Sequence, residues 1–510
     1  MYCWVNSASI WGIEPYIVRI EVDISSGMPY FNMVGLLSSE VKEARERVRT
    51  ALRNSGESLP LNRVTVNLSP ADRKKEGTGF DLPIAVSLLC AMGRIQIDKI
   101  KDTLVIGELG LDGEVKKVRG ILPIVNMARK NGIKTCIIPK DNEKEGRIFS
   151  DIEIISFGFL KELIEYFDVN QPMNQTVNQG RLNRTLNFSE EEEKNEEDFL
   201  QIIGQEAVKR ALEVAVAGWH NILMIGPPGV GKSMLAARIP TIMPRMNREE
   251  QLEISGIQSI CGLLEEDGLV GRRPFSAPHH STTTAALIGG GRIPRPGEIT
   301  IAHKGVLFLD ELPEFQPNVL DALRQPLEEK VVKIHRMGGS YIFPADCLLV
   351  AAMNPCRCGY YPDRNKCNCS ENDIQHYRSR ISGPLMDRMD MEIQVCAVEP
   401  EKLNTTGTVS SKEMRERIEQ AIAIQKDRQG DKYNSQLNLE EIRKYCVLGK
   451  DASDFMREAY EKFELSMRGY YKIIKMARTI ADLEAEDTIG ILQLSEAIAY
   501  RISGKDLSGM

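Results

Sequence analysis

No segment of this chain is both apolar enough and long enough to cross a bilayer. The longest apolar run, near Leu82 to Met92, stops well short of the roughly 20 residues that a spanning helix needs. Residues 1–15 carry no Lys or Arg, so the charged flank of a secretory signal is missing. Both absences lead to the expectation of a cytoplasmic protein with no membrane partner. A basic excess is missing too. The formal net charge is -7, so the molecule as a whole is no polycation, and any nucleic-acid contact must come from a local basic surface. No tandem repeat is visible. What is present is ordinary for a soluble protein with several cores: 42% hydrophobic and 27% charged residues in a chain of 510, enough for roughly three or four domains. Eleven cysteines in such a chain suggest thiols or a metal site before disulfides.

Residues 1–168 read as one α/β domain. Tyr16–Asp23 and Asn62–Leu68 alternate with a period of two, as strands do. Glu40–Asn54 and Leu122–Asn131 read as helices, and Lys134–Ile138 as a strand. Residues 169–198 are polar and then acidic. Too little apolar surface is available there to offset the entropy of ordering, so the segment reads as a solvated linker, with an acidic docking site as the alternative. A second α/β domain is expected over 199–398, with central strands at Ile222–Ile225, Val306–Leu309 and Cys347–Ala352. The region 408–505 lacks strand alternation and reads as helical, with Ser411 and Ser495 as candidate helix caps.

The segment Gly226-Pro227-Pro228-Gly229-Val230-Gly231-Lys232-Ser233 matches the phosphate-loop pattern without a mismatch, between an expected strand and an expected helix. Its glycines let backbone N–H groups turn toward phosphate oxygens. Lys232 supplies a cation to the terminal phosphates of ATP, and the Ser233 hydroxyl can ligate Mg²⁺. A structural glycine turn is the bland alternative, and it does not account for strand, loop, Lys-Ser and helix together. Further on, Val306–Leu309 delivers Asp310 and Glu311 at the end of a buried strand, where open α/β sheets bind ligands. Asp310 can hold the Mg²⁺ shell and Glu311 can polarise the attacking water. The next strand ends at Asn354, placed to orient that water.

This order, followed by a helical lid, resembles an AAA+ ATPase. Finer features are similar to the ComM/YifB family of magnesium chelatase-like bacterial ATPases: Ile203–Gln205, Gly218–Asn221, Ala277–Ser281, Gly289–Gly291, Arg295–Glu298, Phe308–Phe315, Arg380–Pro384 and Ala477–Leu483. The resemblance covers nearly the whole chain. It implies that Arg388 is an arginine finger reaching a neighbouring subunit's γ-phosphate, with Arg378 and Arg380 as rivals, and that Arg468 is the lid's sensor arginine. A finger acting in trans implies a homo-oligomeric ring, a hexamer by family expectation.

Two inserts are expected to face a substrate in that ring. Glu329–Phe343 reads as a strand, a turn at Met337–Gly339 and a strand, flanked by Lys330, Lys333, His335 and Arg336. Arg272–Lys304 is rich in Arg, His, Gly and Thr. Such groups lining a channel would track a phosphate backbone of single-stranded or branched DNA; ordinary solvated hairpins are the alternative. Cys356, Cys358, Cys367 and Cys369 form two Cys-x-Cys pairs that could close a tetrahedral Zn²⁺ site, with free thiols or redox disulfides as the alternative. Through Lys75–Leu82, Ile106–Val115 and Gly132–Pro139, residues 1–168 resemble the proteolytic domain of Lon, a ribosomal S5 domain 2-like α/β fold. By that resemblance Gly79 stands at the nucleophilic serine position and Leu122 at the catalytic lysine position. Without hydroxyl and base there is no acyl transfer, so the domain is expected to be a non-catalytic scaffold.

The resulting expectation is a ring-forming ATPase that translocates DNA or drives branch migration in recombination or natural transformation. A chelatase-type or MoxR-type remodeller of a protein substrate is the rival. An ATP-dependent protease is opposed by Gly79 and Leu122.

Overall fold

The computed structural model describes residues 1–168, 198–264, 268–336, 339–398 and 408–502. The polar and acidic linker therefore lies outside the described residues, apart from Asp198, as do Met337 and Gly338 of the expected turn. The chain forms two compact units. The first comprises Met1–Glu191, Gln251–Val270 and Lys333–Ile342; the second comprises Glu192–Glu250, Gly271–Val332 and Phe343–Met510.

The first unit is built on a seven-stranded mixed sheet. Its order is Tyr30–Val34, Arg63–Ser69, Glu14–Ser25, Tyr2–Trp11, Thr103–Val105, Thr135–Pro139 and Glu153–Phe157. Tyr2–Trp11 pairs antiparallel with Glu14–Ser25, while the three strands that follow it in the order run parallel. The apolar run near Leu82 is the helix Asp81–Ala91, in which every residue is buried. Burying each of its large apolar side chains contributes roughly 1.5–3 kcal/mol, which places a helix without a polar face inside the protein. The one charge it carries inward, Asp81, takes a two-pronged pair from Arg47 at 2.7 and 3.0 Å. The helix Ile121–Lys130 contributes Ile121, Leu122, Ile124 and Val125 to a second apolar cluster.

Two later excursions of the chain belong to this unit. Leu252 and Leu269 pack on the second cluster, and the Gly120 N–H donates to the Ser259 carbonyl at 3.2 Å. In the other excursion, Tyr341 stacks on Trp11 with ring centroids 4.3 Å apart, and the Trp11 indole N–H donates to the Ser340 carbonyl at 3.1 Å.

The second unit holds a five-stranded sheet, parallel throughout. Its order is Phe275–Ser276, Val306–Leu309, Leu348–Met353, Ile222–Ile225 and Met391–Gln394. Val306–Leu309 and Leu348–Met353 are buried at every residue, as expected of central parallel strands covered on both faces. Helices follow from Ser411 onward: Ser411–Gln429, Leu439–Tyr445, Lys450–Lys462, Met467–Leu483 and Ile491–Ile502. The fold is thus mixed α/β with a helical C-terminal region.

Both expected helix caps require correction. Ser410, not Ser411, caps the first of these helices. Its hydroxyl accepts from the Glu413 N–H while the Glu413 carboxylate accepts from the Ser410 N–H, a reciprocal capping box. Ser411 is the first helical residue, and its hydroxyl accepts instead from the Phe199 N–H at 3.0 Å. Ser495 sits inside the last helix, where its hydroxyl donates back to the Ile491 carbonyl at 2.9 Å. The Gly490 N–H before that helix is satisfied by Gln493 Oε1 at 2.9 Å.

Candidate nucleotide-binding site

Strand order decides where the chemistry collects. Ile222–Ile225 lies between Leu348–Met353 and Met391–Gln394, and Val306–Leu309 lies one strand further on. In register, Ile225 faces Met353 and Leu309 faces Ala351. The C-terminal ends of three buried strands therefore emerge side by side, carrying Gly226, Asn354 and Asp310. A cleft of about 310 Å³ opens there, lined among others by Gly229, Lys232, Ser233, Asp310, Glu311 and Asn354.

The loop after Ile225 needs glycine for two different reasons. A Cβ at Gly226 would lie 2.3 Å from the Val395 carbonyl oxygen, so this position permits a close backbone approach. Gly231 has a φ of +90° with no atom within 4 Å of a Cβ built there. It takes the left-handed turn and leaves a cradle that opens the helix Lys232–Ile242. Backbone N–H groups at such a helix start favour an anion.

Lys232 is buried, with 8% exposure. Its ammonium donates to the Gly226 carbonyl at 2.7 Å, the Pro227 carbonyl at 2.9 Å and Asn354 Oδ1 at 3.1 Å. Burial pulls its pKa below the ordinary lysine value, against the opposing pull of Asp310 and Glu311. The Ser233 hydroxyl donates to Asp310 Oδ2 at 2.6 Å. Hydroxyl and carboxylate thus form the hard oxygen pair that suits Mg²⁺. Glu311 has a left-handed backbone, φ 51°, and its N–H donates to Asp310 Oδ1 at 2.9 Å.

The structure brings Lys232, Ser233, Asp310, Glu311 and Asn354 together, but it does not bring the arginines to them. Arg388 pairs with Glu328 at 2.6 Å and donates to the Pro384 carbonyl at 2.8 Å. Arg468 pairs with Asp387 at 3.2 Å. Arg380 pairs with Glu314 at 3.0 Å, and Arg378 donates to the Pro355 carbonyl at 3.4 Å with its guanidinium over the Tyr361 ring. None of the four lines the cleft.

One contact at the site was not picked out from sequence. His280 Nδ1 lies 3.5 Å from Glu311 Oε2, and the His280 ring lies against His279 with centroids 4.0 Å apart. The paired histidines in Ala277–Ser281 were the available signal, but nothing in one dimension ties them to a glutamate thirty residues on.

Cys356, Cys358, Cys367 and Cys369 gather as well. Their sulfurs all lie within 4.8 Å of one another, with Cys356–Cys358 at 3.3 Å, Cys358–Cys367 at 3.5 Å and Cys356–Cys367 at 3.7 Å. Tetrahedral Zn–S bonds of about 2.3 Å put sulfurs about 3.8 Å apart, so the cluster fits a tetrathiolate ion.

The basic flank of the 331–344 hairpin is smaller than the sequence suggested. Lys330 is taken up by Asp346 at 3.3 Å, whereas Lys333, His335 and Arg336 are exposed. In the other insert, Arg273 is buried, donating to the Pro244 and Lys304 carbonyls and pairing with Glu250. Arg272, Arg292 and Arg295 are exposed.

In the first unit, Gly79 lies just before the helix Asp81–Ala91, with Ile106 3.4 Å from the place its Cβ would take. Leu122 is buried in the Ile121–Lys130 helix. The Ser87 hydroxyl is buried and donates to the Pro83 carbonyl at 2.8 Å.

Three family models match the chain in succession: "Subunit ChlI of Mg-chelatase" over residues 20–142, "Magnesium chelatase, subunit ChlI" over 198–403 and "Magnesium chelatase, subunit ChlI C-terminal" over 408–501. The competence protein ComM of Haemophilus influenzae is 41% identical over 502 residues, covering 98% of this chain and 97% of the relative. The chain belongs to the ComM/YifB family of magnesium chelatase-like AAA+ proteins. YifB of Escherichia coli is 38% identical over 499 residues, covering 98% of this chain and 96% of the relative. A shorter match joins this ComM/YifB chain to Lon protease 2 of Bacillus subtilis, 29% identical over 174 residues, or 32% of the chain and 31% of the relative. No helix among the described residues is long and apolar enough to cross a membrane.

Proposed function

We propose that the chain is an ATP-hydrolysing motor that assembles into a hexameric ring and moves single-stranded or branched DNA, in the cytoplasm. The observation that carries the ATPase reading is the meeting of Lys232, Ser233, Asp310 and Asn354 at adjacent ends of one parallel sheet. In this reading Lys232 and the N–H groups of Gly229–Ser233 hold the phosphates of ATP. Ser233 and Asp310 hold Mg²⁺, which neutralises phosphate charge when bound. Glu311 polarises the attacking water and Asn354 orients it. Phosphoryl transfer spreads negative charge over equatorial oxygens, and a guanidinium stabilises it. Arg388 supplies that group from a neighbouring subunit, with Arg378 and Arg380 as alternatives, and Arg468 serves as the lid's arginine.

DNA as the substrate is supported by the exposed Lys333, His335, Arg336, Arg292 and Arg295 on the two inserts, and by likeness to a protein named for competence. The movement proposed is strand translocation or branch migration during recombination or natural transformation. Cys356, Cys358, Cys367 and Cys369 hold a structural Zn²⁺. The first unit is a scaffold without peptidase activity, since Gly79 offers no nucleophile and Leu122 no base.

The test is the ATPase rate of the assembled protein with and without forked or single-stranded DNA. Stimulation by DNA supports the reading. An active ATPase that ignores every DNA structure offered supports a chelatase-type or MoxR-type remodeller of a protein substrate instead.

A further inference from the structure

The segment that runs from Asn354 to Gly359 is held against the phosphate loop at both ends. At its start, Asn354 Oδ1 accepts from the Lys232 ammonium at 3.1 Å. At its end, Gly359 packs on Pro228 so closely that a Cβ built on Gly359 would lie 2.6 Å from Pro228 Cδ and 3.2 Å from Pro228 Cγ. Pro228 lines the nucleotide cleft. Between these two grips stand Cys356, fully buried, and Cys358.

This segment has little core of its own. The apolar cluster beneath it consists of Cys356, Cys367 and Ile374, with Cys358, Tyr361 and Cys369 packed against it. Its other ties are few; among them, the Gly359 N–H donates to the Cys356 carbonyl at 3.0 Å, the Tyr361 N–H to Cys356 Sγ at 3.4 Å, and Arg378 to the Pro355 carbonyl at 3.4 Å. So small an apolar cluster cannot fix a loop precisely, whereas a closed metal site supplies folding free energy at the position it occupies. All four sulfurs lie within 4.8 Å of one another, and those of Cys356, Cys358 and Cys367 are 3.3 to 3.7 Å apart, near the spacing of a tetrahedral site.

We infer that a Zn²⁺ held by Cys356, Cys358, Cys367 and Cys369 braces the phosphate loop through the Gly359–Pro228 contact, so that metal occupancy sets the affinity of the nucleotide site. The inference rests on the reading of Gly226–Ser233 as that site. Zinc with four thiolates has no open position and takes no part in the chemistry. It binds as the thiol protons leave to solvent, and its effect is positional. The N–H groups of the phosphate loop must converge on one anion, and displacements of about 1 Å in such constellations cost much of their function. With the metal gone, Gly359 no longer confines Pro228, and the end of the Asn354 strand loses its anchor at Cys356. The cysteines are therefore positioning residues, and their loss should act on nucleotide binding before it acts on the rate of hydrolysis at saturation.

The experiment uses the full chain, purified without a tag. Elemental analysis gives zinc per chain, and equilibrium titration with a fluorescent ATP analogue in Mg²⁺ buffer gives the Kd. The wild type should carry about one zinc per chain. The Cys367→Ser, Cys369→Ser double variant should carry almost none and bind the analogue about tenfold more weakly or worse, with kcat at saturating ATP changed far less. Gly359→Asn guards against simple misfolding. Asn tolerates a left-handed backbone but adds a Cβ against Pro228, so this variant should keep its zinc and still bind the analogue more weakly. A wild type without zinc overturns the inference. So does a zinc-free double variant that binds the analogue as tightly as the wild type. A zinc-loaded wild type that binds no nucleotide overturns the nucleotide-site reading itself, and the brace falls with it.

Discussion

The Lys232 ammonium donates to Asn354 Oδ1 at 3.1 Å, joining the ends of two adjacent strands across 122 residues of sequence. The same ammonium also holds the Gly226 and Pro227 carbonyls. One buried cation thereby organises the phosphate loop and the neighbouring strand end together. Lys232→Ala should abolish binding of an ATP analogue. Glu311 lines the same cleft, with its carboxylate 3.5 Å from His280 Nδ1 rather than in that ammonium's hydrogen bonds. Glu311→Gln should therefore still bind the analogue while turnover falls by about a hundredfold or more, the scale expected for loss of a general base. Calorimetric titration alongside steady-state ATPase measurement separates the two; wild-type turnover in the Glu311 variant would remove that residue from its role.

Arg388 pairs with Glu328 of its own chain and does not line its own cleft. A finger acting between subunits fits that placement. Arg388→Ala and Lys232→Ala should each be inactive alone, and mixed rings should regain part of the ATPase activity, because some interfaces combine an intact loop with an intact finger. Mixed rings that form yet stay inactive would pass the role to Arg378 or Arg380, which can be tested the same way.

His220 is buried beside the core, with Nε2 2.8 Å from Thr479 Oγ1 and Nδ1 3.9 Å from Asp390. Burial pushes its pKa down to about 4, opposed by Asp390 and aided by Lys475 and Lys472. A histidine depressed in the folded state is protonated more readily in the unfolded chain. Its contribution to stability is thus complete above the ordinary histidine value of about 6.5 and is lost as pH falls from there toward 4, by on the order of 3 kcal/mol. Urea unfolding of the ATP-free protein across that window should show the loss, and His220→Gln should flatten it. Equal pH slopes in both proteins would assign the acid sensitivity elsewhere.

Lys333 and Arg336 are exposed on the strand Val331–Arg336. If both meet phosphate, changing them together to Ala should weaken DNA binding and flatten its log–log salt dependence by about 1 to 2 units. Basal ATPase activity should stay near the wild-type level, because neither residue lines the nucleotide cleft. Fluorescence anisotropy with single-stranded and forked oligonucleotides over a salt series reads both quantities. An unchanged slope would move the DNA contact to Arg292 and Arg295.

Period and punctuation alone determined much of this protein. The strands Ile222–Ile225 and Val306–Leu309 were read to the residue, because a buried parallel strand is a short apolar run bounded by turn residues. The Gly226–Ser233 loop and the Asp310–Glu311 pair were legible for the same reason: local backbone demands and chemistry share one stretch of chain. Helix starts were less legible. Ser410 and Ser411 are alike in composition, and only the position of Glu413 and the partner at Phe199 separate the cap from its neighbour. Tertiary structure alone decided the rest. Strand order put Asn354 beside Lys232, packing put His280 beside Glu311 and Gly359 against Pro228, and ion pairing took Lys330 and Arg273 off the basic surface. Such contacts join residues tens to hundreds apart. Periodicity reports which face of an element is buried, but it carries no information about which other element will bury it.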